Sequence, residues 1–301
     1  MYKSLIKLFP RDQVYKNEPM SAHTTFKIGG PADLLITPVN TNGIRQAVTW
    51  CREQQIPFYT IGLGSNLLVL DGGIRGVVIE LGKRFKGIEV FGDQLYSMAG
   101  TRLSELCKQA SYEGMSGLEF AEGIPGSVGG AIAMNAGAYG SDMENVVQSV
   151  MALDEEGHEI VYRSDKLLMS YRHSVFSEND HIILGAYFRL TKDEPNAIIS
   201  RMKDFSRQRR EKQPVEQNSA GSIFKRPPGQ YVGAMIEELG LKGYRIGGAQ
   251  ISTKHAGFII NTGRAKAQDV VELIQYISDA VYARYDIKLE TELRVIGETK
   301  Q

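Results

Sequence analysis

Two glycine-rich segments carry the first chemical signal in this 301-residue chain, GLGSN (62–66) and GIPGSVGGA (123–131). Backbone N–H groups in such loops converge into a concave nest that binds a diphosphate, and glycine lets a ligand approach with no Cβ in the way. The second segment belongs to a longer run, EGIPGSVGGAIAMNAGAYG (122–140), with six glycines and four alanines in nineteen residues. Neither segment is a standard nucleotide fingerprint. Leu67 stands where the Rossmann pattern after Gly62 and Gly64 wants Gly or Ala, and no GxxxxGK[ST] occurs. From composition alone the glycines are read in two ways, as phosphate nests or as turns that let helix and strand pack closely.

Other reactive groups are sparse. Cys51 and Cys107 are far apart, form no CxxC and fall in helical patterns, which suggests buried thiols in a reducing compartment and neither a zinc site nor a disulfide framework. The 35 basic and 35 acidic side chains cancel, which argues against a protein built to coat nucleic acid or an anionic membrane. A basic run, RQRREKQP (207–214), reads as a solvated helix end or a phosphate contact. The opening MYKSLIKLFPRDQ is broken by Lys7 and Pro10, too short an apolar run for a membrane span or secretory signal. A cytoplasmic protein is expected.

The elements that must hold these residues alternate. LLITPV (34–39), FYTIGLG (58–64), LLVL (67–70) and GVVIEL (76–81) read as strands, and Ile44, Ala47, Val48 and Cys51 recur at helical spacing between the first two. A strand at 95–99 precedes a helix with Leu103, Leu106, Cys107 and Ala110 on one face, expected to be capped by Thr101. Residues 146–162 read as a hairpin around Asp154 to Gly157, and 181–190 as a further strand. A polar segment with a proline at 191–200 marks a boundary. Beyond it, a helix at 198–212 and helices at 230–239 and 267–284 alternate with the strands RIGGAQIS, HAGFIIN and IKLETELRVIG. The chain is α+β or α/β in at least two parts.

GLGSNLLVLDGG (62–73), EGIPGSVGGAIAMNAGAYG, YRHSVF (171–176), AGSIFKRP (220–227), ELGLKGYRIGGAQISTKHAGFIIN (238–261) and LETELRVIG (289–297) resemble, in order, the signature blocks of the UDP-N-acetylenolpyruvoylglucosamine reductase family. With TTFKIGGPAD (24–33) the resemblance covers about residues 20 to 297. It implies an α+β chain with a two-subdomain FAD-binding fold of the vanillyl-alcohol-oxidase (PCMH) type, residues 1–80 and 81–200, and a smaller α+β substrate-binding domain, 201–301. It further implies peptidoglycan precursor synthesis, NADPH as hydride donor, and FAD bound non-covalently, since Ser65 and Asn66 stand where relatives with attached flavin have a histidine. The cofactor contacts implied are Gly62, Gly64, Ser65, Asn66, Gly123, Pro125, Gly126, Ser127, Gly129 and Gly130, through backbone N–H groups of both segments. The short connection after Leu190 matches the subclass that lacks a substrate-covering tyrosine loop.

The implied reaction adds a hydride and a proton across an enolpyruvyl C=C, and the difficulty is the negative charge that develops on the carboxylate-conjugated intermediate. Arg172 in YRHSVF matches the family's carboxylate-binding arginine, a role its planar fork suits. Ser222 in AGSIFK matches the proton donor; without the resemblance it reads as a loop or cap residue. Period two places Glu290 and Glu292 on one strand face and does not separate them, and the motif selects Glu292. Lys225, Arg210 and Arg226 are candidates for the UDP diphosphate, with Arg226 in a position where the family commonly has asparagine. His255 reads as structural. Two other readings stay open, an FAD-dependent sugar or alcohol oxidase and a nucleotide-sugar-binding protein without activity. No metal, nucleic acid or membrane insertion is expected.

Overall fold

The computed structural model describes residues 2–300. Two hydrophobic cores organise the chain into two compact units, each assembled from separated segments. The first comprises residues up to Tyr15, Leu34–Leu63 and Gly76–Gln208; the second comprises Lys16–Asp33, Gly64–Arg75 and the chain from Arg209 onward. The loop GLGSN therefore spans a unit boundary, with Gly62 in the first unit and Gly64, Ser65 and Asn66 in the second.

In the first unit, Phe58–Ile61 pairs in parallel with Ile74–Glu80. The helix Thr41–Glu53, which precedes Phe58–Ile61 in the chain, buries Ile44, Ala47, Val48, Trp50 and Cys51. Asn40 caps it, its Oδ1 accepting the Gly43 N–H at 2.9 Å, an interaction worth about 1 kcal/mol. A second, antiparallel sheet has the strand order Glu159–Arg163, Val147–Leu153, Ile182–Arg189, Gln94–Met98, Ile88–Phe91. The expected hairpin closes through the Gly157 N–H to the Asp154 carbonyl. Against this sheet lie the helix Leu103–Tyr112 and the short helix Val128–Ala133 that contains the end of the glycine-rich segment.

Thr101 does not cap Leu103–Tyr112. Arg102 holds the cap position with no side-chain bond, and the Thr101 hydroxyl instead exchanges hydrogen bonds with the backbone of Gly87 at 3.0 and 3.1 Å. The helix Pro195–Lys212 is fastened at its start by Arg201, which binds Glu119 and Asp193.

In the second unit the antiparallel order is Ser219–Ser222, Phe258–Asn261, Ala249–Ile251, Arg245–Ile246. The helix Ala267–Tyr285 buries Val270, Leu273, Ile277 and Val281, while Ile274, at the same helical spacing, is only partly buried. The Asp71 carboxylate accepts the N–H groups of Ala267 and Gln268 at 3.0 Å each, so a residue from the strand region after GLGSN satisfies the first turn of a helix far along the chain. Leu67–Val69 pairs in parallel with Arg294–Ile296.

The single strand expected over 287–297 is shorter. Only Arg294–Ile296 is regular, and the alternation breaks where Thr291 turns outward while Glu292 is half-buried and Leu293 is buried. An isolated bridge between Thr291 and Phe224 and a bond from the Glu292 N–H to the Ile223 carbonyl at 2.8 Å hold that stretch to the AGSIFK segment.

Candidate functional site

The sequence places Ser222 next to a glycine, and the structure gives the reason. The pairing of Ser219–Ser222 with Phe258–Asn261 slips between Ser219 and Ser222, and Gly221 inside that bulge has φ +80, a conformation that a side chain would strain. A bulge re-aims the residue that follows it, and Ser222 is left half-buried at the strand end. Its neighbour Ile223 accepts the Glu292 N–H at 2.8 Å and the Lys225 N–H donates to the Glu290 carbonyl at 2.8 Å, so the serine and the glutamate sit on two segments joined by short backbone hydrogen bonds.

Asn66 adds a third member. Its Nδ2 donates to the Glu292 carbonyl at 2.9 Å, and its own carbonyl accepts the Arg294 N–H at 3.1 Å. The side-chain amide of Asn66 is therefore occupied in holding the backbone of Glu292, while its backbone N–H is the group expected at the cofactor. Glu290 is separated from Glu292 by the break in alternation: it is exposed and pairs with Lys225 at 3.3 Å.

Gly64 is buried with φ +59, and a Cβ there would lie 2.2 Å from the His23 carbonyl oxygen. Only glycine fits. Among the described residues the N–H groups of Gly64, Ser65 and Asn66 donate to no backbone carbonyl, as an anion nest would require. Gly62, in the first unit, abuts Ser127: a Cβ on it would meet Ser127 Oγ at 2.0 Å.

The second glycine-rich segment is more constrained. Gly123 turns the chain at φ +74 and Pro125 is exposed, and the Gly126 carbonyl accepts the Leu103 N–H at 3.0 Å. Ser127 is buried and caps Val128–Ala133, its Oγ accepting weakly from the Gly130 N–H at 3.4 Å. The N–H groups of Val128 and Gly129 donate to the carbonyls of Thr101 and Ala99 at 2.9 and 2.8 Å. Gly129 is also packed, since a Cβ would come within 2.9 Å of that of Ala99. Its N–H is not available to a phosphate, and this glycine serves close packing. Gly130 is exposed, and an added Cβ there would find only Ser127 Oγ at 3.5 Å, so one side of the helix start is open.

Arg172 lies in the first unit at the tip of a tight turn in which Ser170 and His173 exchange two N–H to carbonyl bonds of 3.1 Å. Its φ is +57, its guanidinium stands 4.9 Å from the Tyr171 ring, and Nη2 is 3.4 Å from the Gly137 carbonyl. Of the eight non-glycine residues with positive φ among the described residues, four fall between residues 135 and 172, namely Asn135, Tyr139, Leu168 and Arg172. Strained backbone concentrates around this arginine, as it does at functional sites. Tyr139, unremarked in the sequence, stacks on Phe205 at 4.3 Å and donates to the Phe205 carbonyl.

The remaining basic candidates are on the surface of the second unit. Arg226 stands over the exposed Tyr231 ring at 4.4 Å, and the Arg210 carbonyl accepts from the Lys254 ammonium. His255 accepts the Gly257 N–H at Nδ1 and meets the Phe258 ring edge-on, and burial lowers its pKa, which favours the neutral ring. Among the described residues the cysteines are free and buried, and the one cluster with metal-ligand geometry, Asp154, Glu156 and His158, lies on the hairpin turn in the first unit.

Comparison with known proteins shows the family and the fold. Residues 32–162 match the model of an FAD binding domain, and residues 213–296 that of the UDP-N-acetylenolpyruvoylglucosamine reductase C-terminal domain. The chain is 47% identical over 298 residues to the UDP-N-acetylenolpyruvoylglucosamine reductase of Syntrophomonas wolfei, covering 99% of this chain and 100% of the relative. It is 46% identical to that of Clostridium botulinum over 301 residues, 99% of this chain and 98% of the relative. The crystal structure of the Thermus caldophilus reductase superposes with a TM-score of 0.80 at 37% identity, over 92% of this chain and 97% of that one. A Bermuda grass pollen isoallergen, at 16% identity and a TM-score of 0.50 over 65% of this chain and 45% of its own, shares the fold alone. The chain belongs to the UDP-N-acetylenolpyruvoylglucosamine reductase family, flavin-dependent oxidoreductases built on the PCMH-type FAD-binding fold.

Proposed function

We propose that this protein reduces the enolpyruvyl group of UDP-N-acetylenolpyruvoylglucosamine to give UDP-N-acetylmuramate, with NADPH as the electron source, in the cytoplasmic synthesis of peptidoglycan precursors. What FAD supplies when bound is the two-electron relay between NADPH and the enolpyruvyl double bond. Gly64, Ser65 and Asn66 of the second unit offer the unused N–H donors for its diphosphate, held without a covalent bond. In the first unit, Gly62 and Gly130 lie beside Ser127, and Gly123, Pro125 and Gly126 form the turn that leads into that segment; these are the first unit's own candidate cofactor contacts.

The chain's own residues handle charge and protons. Arg172 pairs with the substrate carboxylate and offsets the negative charge that grows on it as hydride arrives at the methylene carbon. Ser222 Oγ gives its proton to the adjacent carbon, and the resulting alkoxide recovers a proton from solvent or from Glu292. A serine is a weak acid in water, but a basic carbanion held in contact takes its proton. Lys225, Arg210 and Arg226 bind the UDP diphosphate. FAD is assigned to residues 1–80 and 81–200 and substrate to 201–301, with residues 64–75 packed in the same compact unit as the substrate segment.

The observation that carries the reading is the bulge at Gly221, which presents Ser222 on a segment bonded directly to that of Glu292. Anaerobic reduction by NADPH followed by addition of UDP-N-acetylenolpyruvoylglucosamine tests it. Reoxidation of the flavin with formation of the muramate product is expected, and flavin that stays reduced refutes the reading.

A further inference from the structure

The turn that carries Arg172 is gripped from behind by one side chain. Asn135 is 1% exposed and follows the helix Val128–Ala133. Its φ is +39, in the left-handed region that asparagine tolerates better than most residues. Nδ2 donates to the Ser170 carbonyl at 3.0 Å, and Oδ1 accepts the Glu144 N–H at 3.0 Å. The two partners fix the amide orientation, because a carbonyl requires a donor and an N–H requires an acceptor. Ser170 is one end of the two-bond turn with Arg172 at its tip. On the other side of that turn the buried Ser174 hydroxyl donates to the Ala133 carbonyl at 2.8 Å. Gly137, whose carbonyl faces the Arg172 guanidinium, is two residues beyond Asn135.

We propose that Asn135, assisted by Ser174, is a positioning residue for Arg172: it locks the arginine turn in register with the glycine-rich segment, so that the two are set by one buried joint. This rests on the reading of Arg172 as the carboxylate-binding group. Few side chains meet the demands of the site. It needs a left-handed backbone, one donor and one acceptor within a short reach, and no net charge in a buried place. Aspartate keeps the acceptor for Glu144 but turns an oxygen toward the Ser170 carbonyl. Glycine keeps the backbone and loses both bonds. Either change frees the turn by a fraction of its width, and misplacement of a catalytic group by about 1 Å costs on the order of 100-fold in rate.

The test uses the FAD-loaded enzyme and the variants Asn135→Asp, Asn135→Gly and Arg172→Ala, singly and combined. FAD content and anaerobic reduction by NADPH are expected to stay at wild-type levels in the Asn135 variants. Reoxidation by UDP-N-acetylenolpyruvoylglucosamine is expected to fall about 10- to 100-fold, with a raised half-saturating concentration. In the Arg172→Ala background the Asn135 changes are expected to cost nothing more, because a residue acting only through another is silent when that other is gone.

An equal further loss in that background, or a parallel loss of FAD and NADPH reduction, overturns the positioning role and makes Asn135 a purely structural residue. Wild-type reoxidation in the Asn135 variants beside a slow Arg172→Ala overturns positioning alone. Wild-type reoxidation in Arg172→Ala refutes the arginine's role and positioning with it. If the Asn135 variants do not fold, Ser174→Ala removes the second grip; it is expected to slow reoxidation in the same selective way, and an unchanged rate counts against the joint.

Discussion

The side-chain amide of Asn66 donates to the backbone carbonyl of Glu292 at 2.9 Å, tying the end of the GLGSN loop to the proposed acidic residue of the site. The relation is reciprocal in backbone terms, since the Asn66 carbonyl accepts from Arg294. Removing the amide leaves a half-buried carbonyl without its donor, a loss of about 1–3 kcal/mol. Asn66→Ala is expected to lower the unfolding free energy by that amount and to slow flavin reoxidation by substrate more than reduction by NADPH. Denaturant titration and the two half-reactions measured separately check both parts.

Gly64 tests the nest itself. A left-handed φ of +59 combined with a would-be Cβ 2.2 Å from a backbone oxygen leaves no route for accommodation short of moving the loop. Gly64→Ala is expected to yield protein with FAD affinity reduced at least tenfold and a lowered Tm, whereas Gly130→Ala, with open space beside it, is expected to fold normally. Flavin absorbance per purified chain, with a thermal melt, distinguishes the two.

Ser222→Ala removes one oxygen from a half-buried strand end and is not expected to disturb the fold. FAD binding and reduction by NADPH should persist while reduction of the enolpyruvyl substrate falls by about 100-fold or more, the scale of a positioned general acid. Turnover near that of the wild type would remove Ser222 as the donor.

Both cysteines provide a check on the core of the first unit. Burial pushes the Cys51 thiol up to about 12 and Cys107 higher still, where its Sγ also donates to the Leu118 carbonyl at 3.3 Å. At pH 8 neither is expected to react with a thiol reagent until the protein unfolds, when both become available. Prompt labelling of the native protein would contradict the packing described.

Periodicity served where one face of an element is buried and the other is not. Ile44, Ala47, Val48 and Cys51, and likewise Leu103, Leu106, Cys107 and Ala110, are buried as their spacing predicts. It failed at 287–297, because the local alternation is overridden by the Thr291–Phe224 bridge and the Glu292 N–H bond to the Ile223 carbonyl, residues far away in sequence. The same distance explains Thr101, whose hydroxyl reads as a cap until Gly87 is brought beside it. Membership of residues 16–33 and 64–75 in the second unit rests on such links too, including the bonds from Asn261 to the Phe26 carbonyl and from the Ala267 N–H to Asp71. The glycine-rich composition left phosphate nest and close packing open and did not tell which N–H groups are spent on packing; Gly129 and Gly64 look alike in sequence and differ in what surrounds them. Asn135 carried one local hint, an asparagine in a run of small residues, the type that accepts a left-handed turn.

Glu119 gives the clearest dependence on pH. Burial alone would raise its carboxyl, but the Arg201 guanidinium at 2.7 and 3.0 Å, the Gly117 N–H at 2.7 Å and the Ser116 hydroxyl at 2.9 Å outweigh that and hold it below the usual carboxylate range. A carboxylate whose folded pKa is depressed stabilises the native state at all pH values above its unfolded pKa of about 4.3, and that stability disappears as pH falls through the lower, folded value. The native helix Pro195–Lys212 is anchored through this group, so acid should loosen it first. Glu119→Gln keeps the shape and removes the charge. It is expected to lower stability at pH 7 by about 1.5–3 kcal/mol, the scale of a hydrogen-bonded charge, and to flatten the loss of stability below about pH 5. Urea midpoints of the two proteins from pH 7 down to about pH 3 measure this, and curves that fall in parallel would show that Glu119 carries none of the acid sensitivity.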